Sequence, residues 1–476
     1  MKIIIDYFKS KYEADEWAIV APTGIAALAV GGQTIHSFAG CGVPQLVKDF
    51  DRCWGKISKE RWRSLKVLMI DEISMLSGEF LDHLSDVVKN IRNYGHKHEV
   101  DASSIPFPLA PFAGIQLIFC GDFLQLPPIH KKPYDINAIL SSTQYEKDEI
   151  HRDKGFAFQS NVWKMRNLKV IQLCHIFRQN NKEFQEILSK IRQGEVSFET
   201  EQFLKRCNRP LPVIDGIKPT ILYPRNVDVS EENRKELARI LDTLRVYNAK
   251  DDIHVDPGAN EGAYEKLANS SFFNDCIAER MLQLKTNAQV MLIKNETGTE
   301  PKHRLVNGSR GVVSGFVNED KCTRDLNDHL QVNSSEDIVS DNLDASLPVV
   351  RFRCGRRKVI ERKDFTFELS GVGRCVRHAI PLKLAWAITV HKAQGMSIDY
   401  VKADVSKVFG EAQTYVALSR ATDVNGLELR GFEPKKVKVE SRAKAFYSDP
   451  HGSFPHWDED WTQAEEAMGE SGKASA

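Results

Sequence analysis

Residues 67–72 read Val-Leu-Met-Ile-Asp-Glu, an apolar run that ends in two adjacent carboxylates. A short apolar run closed by polar residues is typical of a buried β-strand, which we expect to begin at residue 65. Similar runs lie at Trp17–Ala21 and at 115–120. Between the run at 65–70 and the run at 115–120, apolar residues recur at helical spacing over 80–92. Strand, helix and strand in this order predict a parallel sheet whose carboxyl ends form the functional edge.

Small or polar residues follow each predicted strand: Thr23 the first, Asp71 and Glu72 the second, and Gln125 the third. Nucleotide hydrolases use paired carboxylates after a buried strand to hold Mg²⁺ and to orient the attacking water. A side-chain amide after the neighbouring strand can reach a terminal phosphate. Taken alone, a strand ending in Asp-Glu also fits a helix cap beside a solvated neighbour, so the pair by itself leaves both interpretations open.

The second half of the chain places two arginines in short polar motifs, Arg178 in Phe-Arg-Gln and Arg420 in Leu-Ser-Arg-Ala-Thr. An arginine presented to a γ-phosphate stabilises the charge that develops in phosphoryl transfer. Read singly, each arginine also fits a surface salt bridge. Between them, 387–397 is rich in hydrogen-bond donors suited to a nucleic-acid backbone.

Composition restricts the class of protein without identifying it. Hydrophobic residues make up 42% and charged residues 27% of the 476 residues, as in globular proteins. No apolar run approaches the roughly 20 residues that span a bilayer, so we expect no membrane association. The nine cysteines are scattered and never spaced as Cys-x-x-Cys, which favours an intracellular, reducing compartment over a disulfide framework or a zinc site.

Seven segments, taken in order, resemble the helicase motifs of superfamily 1, and the stretch around 80–123 resembles the signature of the Pif family. The segments are APTGIAA, GGQTIHSF, VLMIDEISML, GDFLQLPP, FRQ, AWAITVHKAQGMSID and YVALSRAT. The resemblance covers about 21–422 and implies an ATP-dependent 5′-to-3′ DNA helicase. It also implies action on single-stranded, forked and G-quadruplex DNA in telomere maintenance, recombination and repair, in the nucleus or the mitochondrion. We expect a monomer.

The resemblance assigns roles to particular residues. Asp71 and Glu72 would serve Mg²⁺ and the attacking water, and Gln125, Arg178 and Arg420 would meet the γ-phosphate of ATP. Gly395 lies in the motif with which the second domain senses nucleotide. The residues expected to contact single-stranded DNA are Thr23, His36, Phe38, Asn226, Thr389, His391 and Lys392.

The implied fold is α/β, with two RecA-like parallel-sheet domains, the second carrying an inserted small β-barrel. We place the first domain at 1–165 and the second at 166–294 and 381–448. Short β-rich segments separated by Gly, Asn and Asp place the inserted barrel at 295–380. The polar residues 449–476 are expected to form a disordered tail.

The sequence departs from the family pattern at its beginning. Family members carry a phosphate-binding loop of the form G-x-x-x-x-G-K-[ST] before the first of these motifs, and no such string occurs in the 476 residues. The expectation is therefore a helicase motor whose sequence is given without its first strand and loop. The alternative is a nucleotide-independent module that binds single-stranded DNA.

Overall fold

The computed structural model describes residues 1–93, 110–130, 149–165, 168–213, 216–257, 262–268, 272–294, 305, 308–318, 322–324, 330–332, 346–369, 373–452 and 454–459. The chain forms two compact units. The first comprises Met1–His175 with Val439–Ala476, and the second comprises Ile176–Lys438.

The strands, in chain order, are β1 Trp17–Ala21, β2 Gln33–Thr34, β3 Val67–Ile70, β4 Gln116–Phe119, β5 Thr220–Tyr223, β6 Arg245–Asn248, β7 Lys250–Val255, β8 Met281–Leu284, β9 Gln289–Leu292, β10 Arg310–Asn318, β11 Cys322–Arg324, β12 Leu330–Val332, β13 Ser346–Phe352, β14 Arg357–Val359, β15 Lys363–Leu369, β16 Gly373–Ala379, β17 Leu382–Leu384, β18 Ala387–Thr389, β19 Val401–Asp404 and β20 Leu427–Arg430.

The α-helices are α1 Lys2–Lys11, α2 Gly24–Ala29, α3 Ile35–Ala39, α4 Lys56–Ser64, α5 Gly78–Asn93, α6 Asn161–Lys164, α7 Lys182–Arg192, α8 Phe198–Arg206, α9 Asn226–Ala238, α10 Ala263–Ala268, α11 Phe272–Asp275, α12 Val390–Ala393, α13 Gln413–Leu418 and α14 Ser441–Ser448. None of the described helices combines the length and the apolar character needed to cross a bilayer.

The sheet of the first unit is parallel, in the order β2-β1-β3-β4. All residues of β3 are buried, as expected for a central strand covered on both faces. The register pairs Ile19 with Met69 and Met69 with Ile118, so the carboxyl ends of β1, β3 and β4 lie at one edge. The predicted parallel sheet, with the carboxyl ends of its strands at one edge, is confirmed.

Helix α5 covers one face of this sheet with the predicted apolar stripe. Phe80, Leu84, Val88 and Ile91 are each 0% exposed, because their spacing places them on one side of a 3.6-residue helix. The stripe belongs to the main core of the first unit, which also contains Trp62.

The second unit has its own parallel sheet, in the order β18-β5-β19-β20. Its β-rich part contains an antiparallel sheet in the order β14-β13-β10-β9-β17 and a second sheet in the order β15-β16-β7. The α/β class with two parallel sheets is confirmed. The β-rich strands extend beyond the predicted range 295–380 on both sides, because β7 and β9 pair with strands inside it and β17 pairs with β9.

Two expectations about the carboxyl-terminal part need correction. Helix α14 was assigned to the second domain, but Ala443 and Phe446 pack in the core of the first unit. Disorder was expected from 449, yet the Phe454 ring lies 5.1 Å from that of Phe158, and Trp457 Nε1 donates to Asp82 Oδ2 at 2.8 Å. Large aromatic side chains offset the polar composition, because burying them stabilises an ordered segment. Residues 460–476 lie outside the described residues.

Candidate functional site

Two carboxylates lie directly after β3 at the carboxyl edge of the first sheet. The Asp71 N–H donates to Val20 O at 2.9 Å, which continues the pairing with β1. Glu72 has φ 52°, a left-handed conformation that is uncommon for a residue with a side chain. Non-glycine residues in this conformation cluster at functional sites, where the surrounding fold holds them in place.

The electrostatics of this pair fit a bound cation. Burial, followed by the charge of Glu72, raises the pKa of Asp71 to about 6. Burial and the Asp71 carboxylate also raise the pKa of the Cys120 thiol to about 11. An ion at this position would relieve the cost of keeping Asp71 charged, and carboxylate oxygens are ligands that suit Mg²⁺.

Gln125 lies in the loop after the neighbouring strand β4. The loop is organised by Asp122, whose Oδ1 accepts the Leu124 N–H at 3.1 Å and whose backbone oxygen accepts the Gln125 N–H at 2.9 Å. The Ile73 N–H donates to Cys120 O at 2.9 Å, which joins the segment after β3 to the end of β4. The structure therefore brings Asp71, Glu72 and Gln125 to one sheet edge, as the sequence predicts.

Two residues of this loop arrangement were not predicted. Asp122 is also the acceptor for the Tyr447 hydroxyl, at 2.9 Å. An aspartate directly after a predicted strand is a recognisable turn signal in the sequence, because its side chain can accept the N–H of the residue two positions further on. Tyr447 carries no such signal, because its partner lies in a distant part of the chain.

The residues expected to contact DNA from the first unit differ in their surroundings. Thr23 Oγ1 accepts the Ala26 N–H at 3.2 Å and caps α2 at the same sheet edge. His36 is half-buried, with its ring centroid 4.8 Å from that of Phe80. Phe38 is 4% exposed and packs edge-on against Trp62. The prediction that Phe38 contacts DNA is wrong for this structure, since its ring belongs to the core.

Arg178 connects three predicted motifs within the second unit. Its Nε donates to Ser397 Oγ at 3.0 Å, and its Nη1 donates to Ser419 O at 3.3 Å. The adjacent Gln179 donates from Nε2 to Ser419 O at 3.1 Å and to Ala421 O at 2.8 Å. The segments FRQ, GMS and LSRAT are therefore held together by hydrogen bonds. The described residues 168–177, which precede Arg178, form no strand.

Arg420, which is predicted to meet the γ-phosphate, is buried among backbone acceptors in this structure. The side chain is 1% exposed, and Nε donates to Val416 O at 2.9 Å while Nη2 donates to Ser419 Oγ at 2.8 Å. Nη1 lies 3.4 Å from Met396 O and 3.5 Å from Ala393 O. In this structure the guanidinium links α13 to the turn after α12, and a phosphate contact would require it to leave these acceptors.

Helix α12 and the turn after it carry four of the predicted residues. Thr389 is 3% exposed, and its hydroxyl caps α12 by accepting the Lys392 N–H at 3.3 Å, so it positions the helix rather than presenting a contact to DNA. His391 is half-buried, and burial lowers its pKa. Desolvation, followed by the charge of Lys383, lowers the pKa of the exposed Lys392. Gly395 is exposed with φ 79°, which favours glycine.

Asn226 begins helix α9 and is exposed. The start of this helix is fixed by Asp228, whose carboxylate accepts from Arg225 Nε at 2.8 Å and from Lys407 Nζ at 2.6 Å. Asn226, His391 and Lys392 are thus the predicted DNA contacts of the second unit whose side chains reach its surface.

A PIF1-like helicase family model matches residues 1–202, and a model described as the 2B domain of DNA helicase Pif1 matches residues 267–316. The crystal structure of Pif1 helicase from Candida albicans is 33% identical to this chain, with a TM-score of 0.69. That match covers 94% of this chain and 92% of the crystallised one. The chain belongs to the PIF1-like helicase family.

Other relatives of this PIF1-like chain are similar over comparable lengths. ATP-dependent DNA helicase PIF1 of Emericella nidulans is 34% identical over 94% of this chain and 58% of its own length. ATP-dependent DNA helicase RRM3 of Saccharomyces cerevisiae is 32% identical over 94% of this chain and 63% of its own length. The Bacteroides Pif1 structure with ADP-AlF3 and ssDNA is 25% identical, with a TM-score of 0.59, and the match covers 93% of this chain and 90% of that one. The PIF1-like chain thus spans about three-fifths of the length of the Emericella nidulans and Saccharomyces cerevisiae proteins.

Proposed function

We propose that this chain is the motor of an ATP-dependent DNA helicase, which couples ATP hydrolysis to movement along single-stranded DNA. The observation that carries the proposal is the meeting of Asp71, Glu72 and Gln125 at one sheet edge, with the pKa of Asp71 raised to about 6. Relatives named as ATP-dependent DNA helicases support it.

Each of these side chains has a chemical part in the proposed hydrolysis. Asp71 would hold Mg²⁺, which when bound offsets the negative charge of the phosphates. The Glu72 carboxylate accepts a hydrogen bond from the attacking water and takes its proton. The Gln125 amide binds a γ-phosphate oxygen, and its loop is fixed by Asp122.

In the second unit, Arg178 offers a half-buried guanidinium to phosphate, and Gly395 provides the flexible turn beside it. Arg420 would serve the γ-phosphate only after release from its present acceptors. Asn226, His391 and Lys392 would contact the DNA backbone, together with Thr23 and His36 in the first unit. Since phosphate contacts carry most of the affinity in such interfaces, we expect binding to weaken steeply with salt.

The finer assignments of the proposal rest on family resemblance. They are 5′-to-3′ direction, forked and G-quadruplex substrates, roles in telomere maintenance, recombination and repair, and a site of action in the nucleus or the mitochondrion. A solved relative is described as DNA unwinding at forked dsDNA by two coordinating Pif1 helicases. For this chain we propose a monomeric motor with two RecA-like domains, the second carrying a β-rich insertion.

The test is DNA-stimulated ATP hydrolysis, measured on the chain as given and on the chain preceded by a strand and a phosphate-binding loop of the form G-x-x-x-x-G-K-[ST]. The 476 residues contain no G-x-x-x-x-G-K-[ST] string, so we expect activity only in the extended form. In that form Glu72→Gln should lower the rate by at least about 100-fold. Glu13→Gln, at an exposed position of the same unit, is the matched control and should leave the rate unchanged.

Comparable hydrolysis by the two forms would refute the proposed phosphate site. If neither form hydrolyses ATP while both bind single-stranded DNA, the alternative function applies. The chain would then be a nucleotide-independent DNA-binding module.

A further inference from the structure

A second cluster of ionisable side chains lies in the first unit, apart from the carboxylates at the sheet edge. Glu79 and His83 project from α5, and His151 approaches from the segment that precedes α6. One donor atom from each residue lies within 4.8 Å of the other two. Glu79 is 3% exposed and His151 is 0% exposed, so the cluster is largely shielded from solvent.

The backbone holds the three residues on ordered elements. Glu79 and His83 are one helical turn apart, which places them on the same face of α5. The His151 N–H donates to Gln45 O at 2.9 Å, and the preceding Ile150 forms an antiparallel bridge with Leu46. Side chains that start from fixed backbone positions need little reorganisation to bind an ion.

The Glu79 carboxylate is oriented by the segment that carries His151. Its Oε2 accepts the N–H groups of Arg152 at 3.1 Å and Lys154 at 2.9 Å. Its Oε1 lies 3.5 Å from His151 Nδ1. One carboxylate oxygen therefore anchors the side chain, and the other faces the His151 imidazole.

His151 is oriented by a carboxylate on its opposite side. Its Nε2 lies 3.1 Å from Asp153 Oδ1, which also accepts from the Ser77 hydroxyl at 3.3 Å. Proteins use this arrangement to fix ligating histidines, because a nitrogen that donates to a carboxylate leaves the other nitrogen free to bind metal. Asp153 has φ 59°, a strained conformation that the local hydrogen bonds maintain.

The third member, His83, has a buried nitrogen with no hydrogen-bond partner among the described residues. Its Nδ1 makes no hydrogen bond to any described residue, which is costly for a buried polar atom. Its ring centroid is 5.6 Å from that of His151 and 5.4 Å from that of Phe50. Burial, followed by the neighbouring His151, lowers the pKa of His83, so its nitrogen keeps a lone pair at neutral pH.

We propose that Glu79, His83 and His151 bind one divalent transition-metal ion of the Zn²⁺ type. Two imidazole nitrogens and one carboxylate oxygen are ligands that Zn²⁺ accepts, with a fourth position open to water. Zn–N bonds of about 2.0–2.1 Å place neighbouring donors about 3.3 Å apart, so the three side chains must draw together by up to about 1.5 Å. The ion would fasten α5 to the segment around His151.

A proton competes with the metal ion for the imidazole nitrogen of His151. Burial opposes a charge on His151, but its hydrogen bonds with Asp153 and Glu79 outweigh burial and raise its pKa to about 9. At neutral pH the metal must therefore displace a proton from His151, and binding should release it to the buffer. Exposed thiols such as Cys174 and Cys354 would also release a proton on binding metal, so the absence of a sulfur-to-cobalt charge-transfer band is what separates ligation by the cluster from adventitious thiol binding.

The experiment uses the full chain after removal of metal with a chelator. Co²⁺ is added to report coordination by its visible absorption, and Zn²⁺ is titrated calorimetrically in two buffers that differ in ionisation enthalpy. We expect one equivalent to bind with proton release and with no sulfur-to-cobalt charge-transfer band. His83→Gln should weaken binding by more than about 100-fold, since even the loss of a supporting residue costs 10–100-fold.

The matched control is His456→Gln, which alters a nearby histidine that contacts Asp82 rather than the cluster, and it should bind as the unmodified chain does. If His83→Gln fails to fold, X-ray absorption of the zinc-loaded unmodified chain decides the question. Nitrogen and oxygen ligands alone support the site, and a sulfur shell overturns it. Absence of stoichiometric uptake by the unmodified chain would also overturn it, and would leave His151 as a buried imidazolium.

Discussion

The Tyr447 hydroxyl donates a hydrogen bond to Asp122 Oδ1 at 2.9 Å, although 325 positions separate the two residues in the chain. The same hydroxyl oxygen accepts the Phe123 N–H at 3.2 Å. Asp122 in turn holds the loop that carries Gln125. Helix α14, near the end of the described chain, therefore supports a loop at the candidate site.

Tyr447→Phe should loosen this loop without opening a cavity, because only the hydroxyl is removed. We expect a loss of about 1.5–3 kcal/mol in the unfolding free energy of the first unit, as for hydrogen bonds to charged groups. Denaturant titration would measure it, with Tyr264→Phe at an exposed position as the control. An unchanged midpoint would show that Asp122 organises the loop without Tyr447.

Asp71→Asn should stabilise the chain at neutral pH while weakening its binding of Mg²⁺ with nucleotide. The folded pKa of about 6 exceeds the ordinary 3.8, so protonation favours the folded state. The unmodified chain therefore loses stability as pH rises from 3.8 through about 6, and the variant does not. We expect a gain of about 1–3 kcal/mol at pH 7.5 that disappears toward pH 4.

Thermal unfolding at a series of pH values would measure this difference. Asp86→Asn, which alters an exposed carboxylate on α5, is the control and should show no such dependence. A gain that persists at pH 4 would mean that Asp71 is not the titrating group.

Arg178→Ala and Arg420→Ala should differ in their effect on stability. Arg420 is fully buried, so its truncation leaves a cavity and several carbonyl oxygens without donors, at a cost of about 3–5 kcal/mol. Arg178 is half-buried, and water can replace part of its hydrogen bonding to Ser397 and Ser419, so its loss should cost about 1–2 kcal/mol. Thermal unfolding compares the stability of the two variants. Equal losses of stability would show that the buried hydrogen bonds of Arg420 contribute no more to the fold than those of Arg178.

The parts of this fold that could be predicted depend on local pattern. The run Val67–Ile70 followed by Asp71 and Glu72 specifies a buried strand and its polar end without reference to distant residues. Phe80, Leu84 and Val88 specify the buried face of α5 in the same way. Both patterns follow from the periodicity of backbone structure.

The parts that could not be predicted depend on which distant side chains meet. Phe38 sits in a polar motif, and only the packing of α4 places Trp62 against it. The burial of Arg420 depends on carbonyl oxygens in the turn after α12, which sequence does not locate. Tyr447 was assigned to the second domain because it follows the last motif in the chain, whereas its helix packs in the first unit.

Lys392→Ala should weaken binding of single-stranded DNA by a similar factor for all sequences, if Lys392 contacts phosphate as proposed. We expect the slope of log affinity against log salt to fall by about one, because one fewer counterion is released. Fluorescence anisotropy over a range of salt concentrations measures this slope. Lys435→Ala, at a lysine whose side chain is 80% exposed, is the control, and an equal effect there would indicate non-specific attraction.

The buried His151 predicts a loss of stability at alkaline pH in metal-free protein. Its folded pKa of about 9 lies above the ordinary 6.5, so its contribution is fully present below pH 6.5 and is lost as pH rises through about 9. The groups that face it are Glu79, Asp153 and His83. The expected loss is up to about 3 kcal/mol, since each pKa unit corresponds to about 1.4 kcal/mol.

Denaturant unfolding of the chelator-treated chain between pH 6 and 9.5 measures this effect. His151→Gln should be less stable at pH 6.5. Its free energy of unfolding should change little over the same pH range, because position 151 no longer carries a titrating group. His451→Gln, at an exposed position, should keep the slope of the unmodified chain. A chain whose stability is constant from pH 6.5 to 9 would show that His151 is neutral when folded. Its Nδ1 would then be open to a metal ion without displacing a proton.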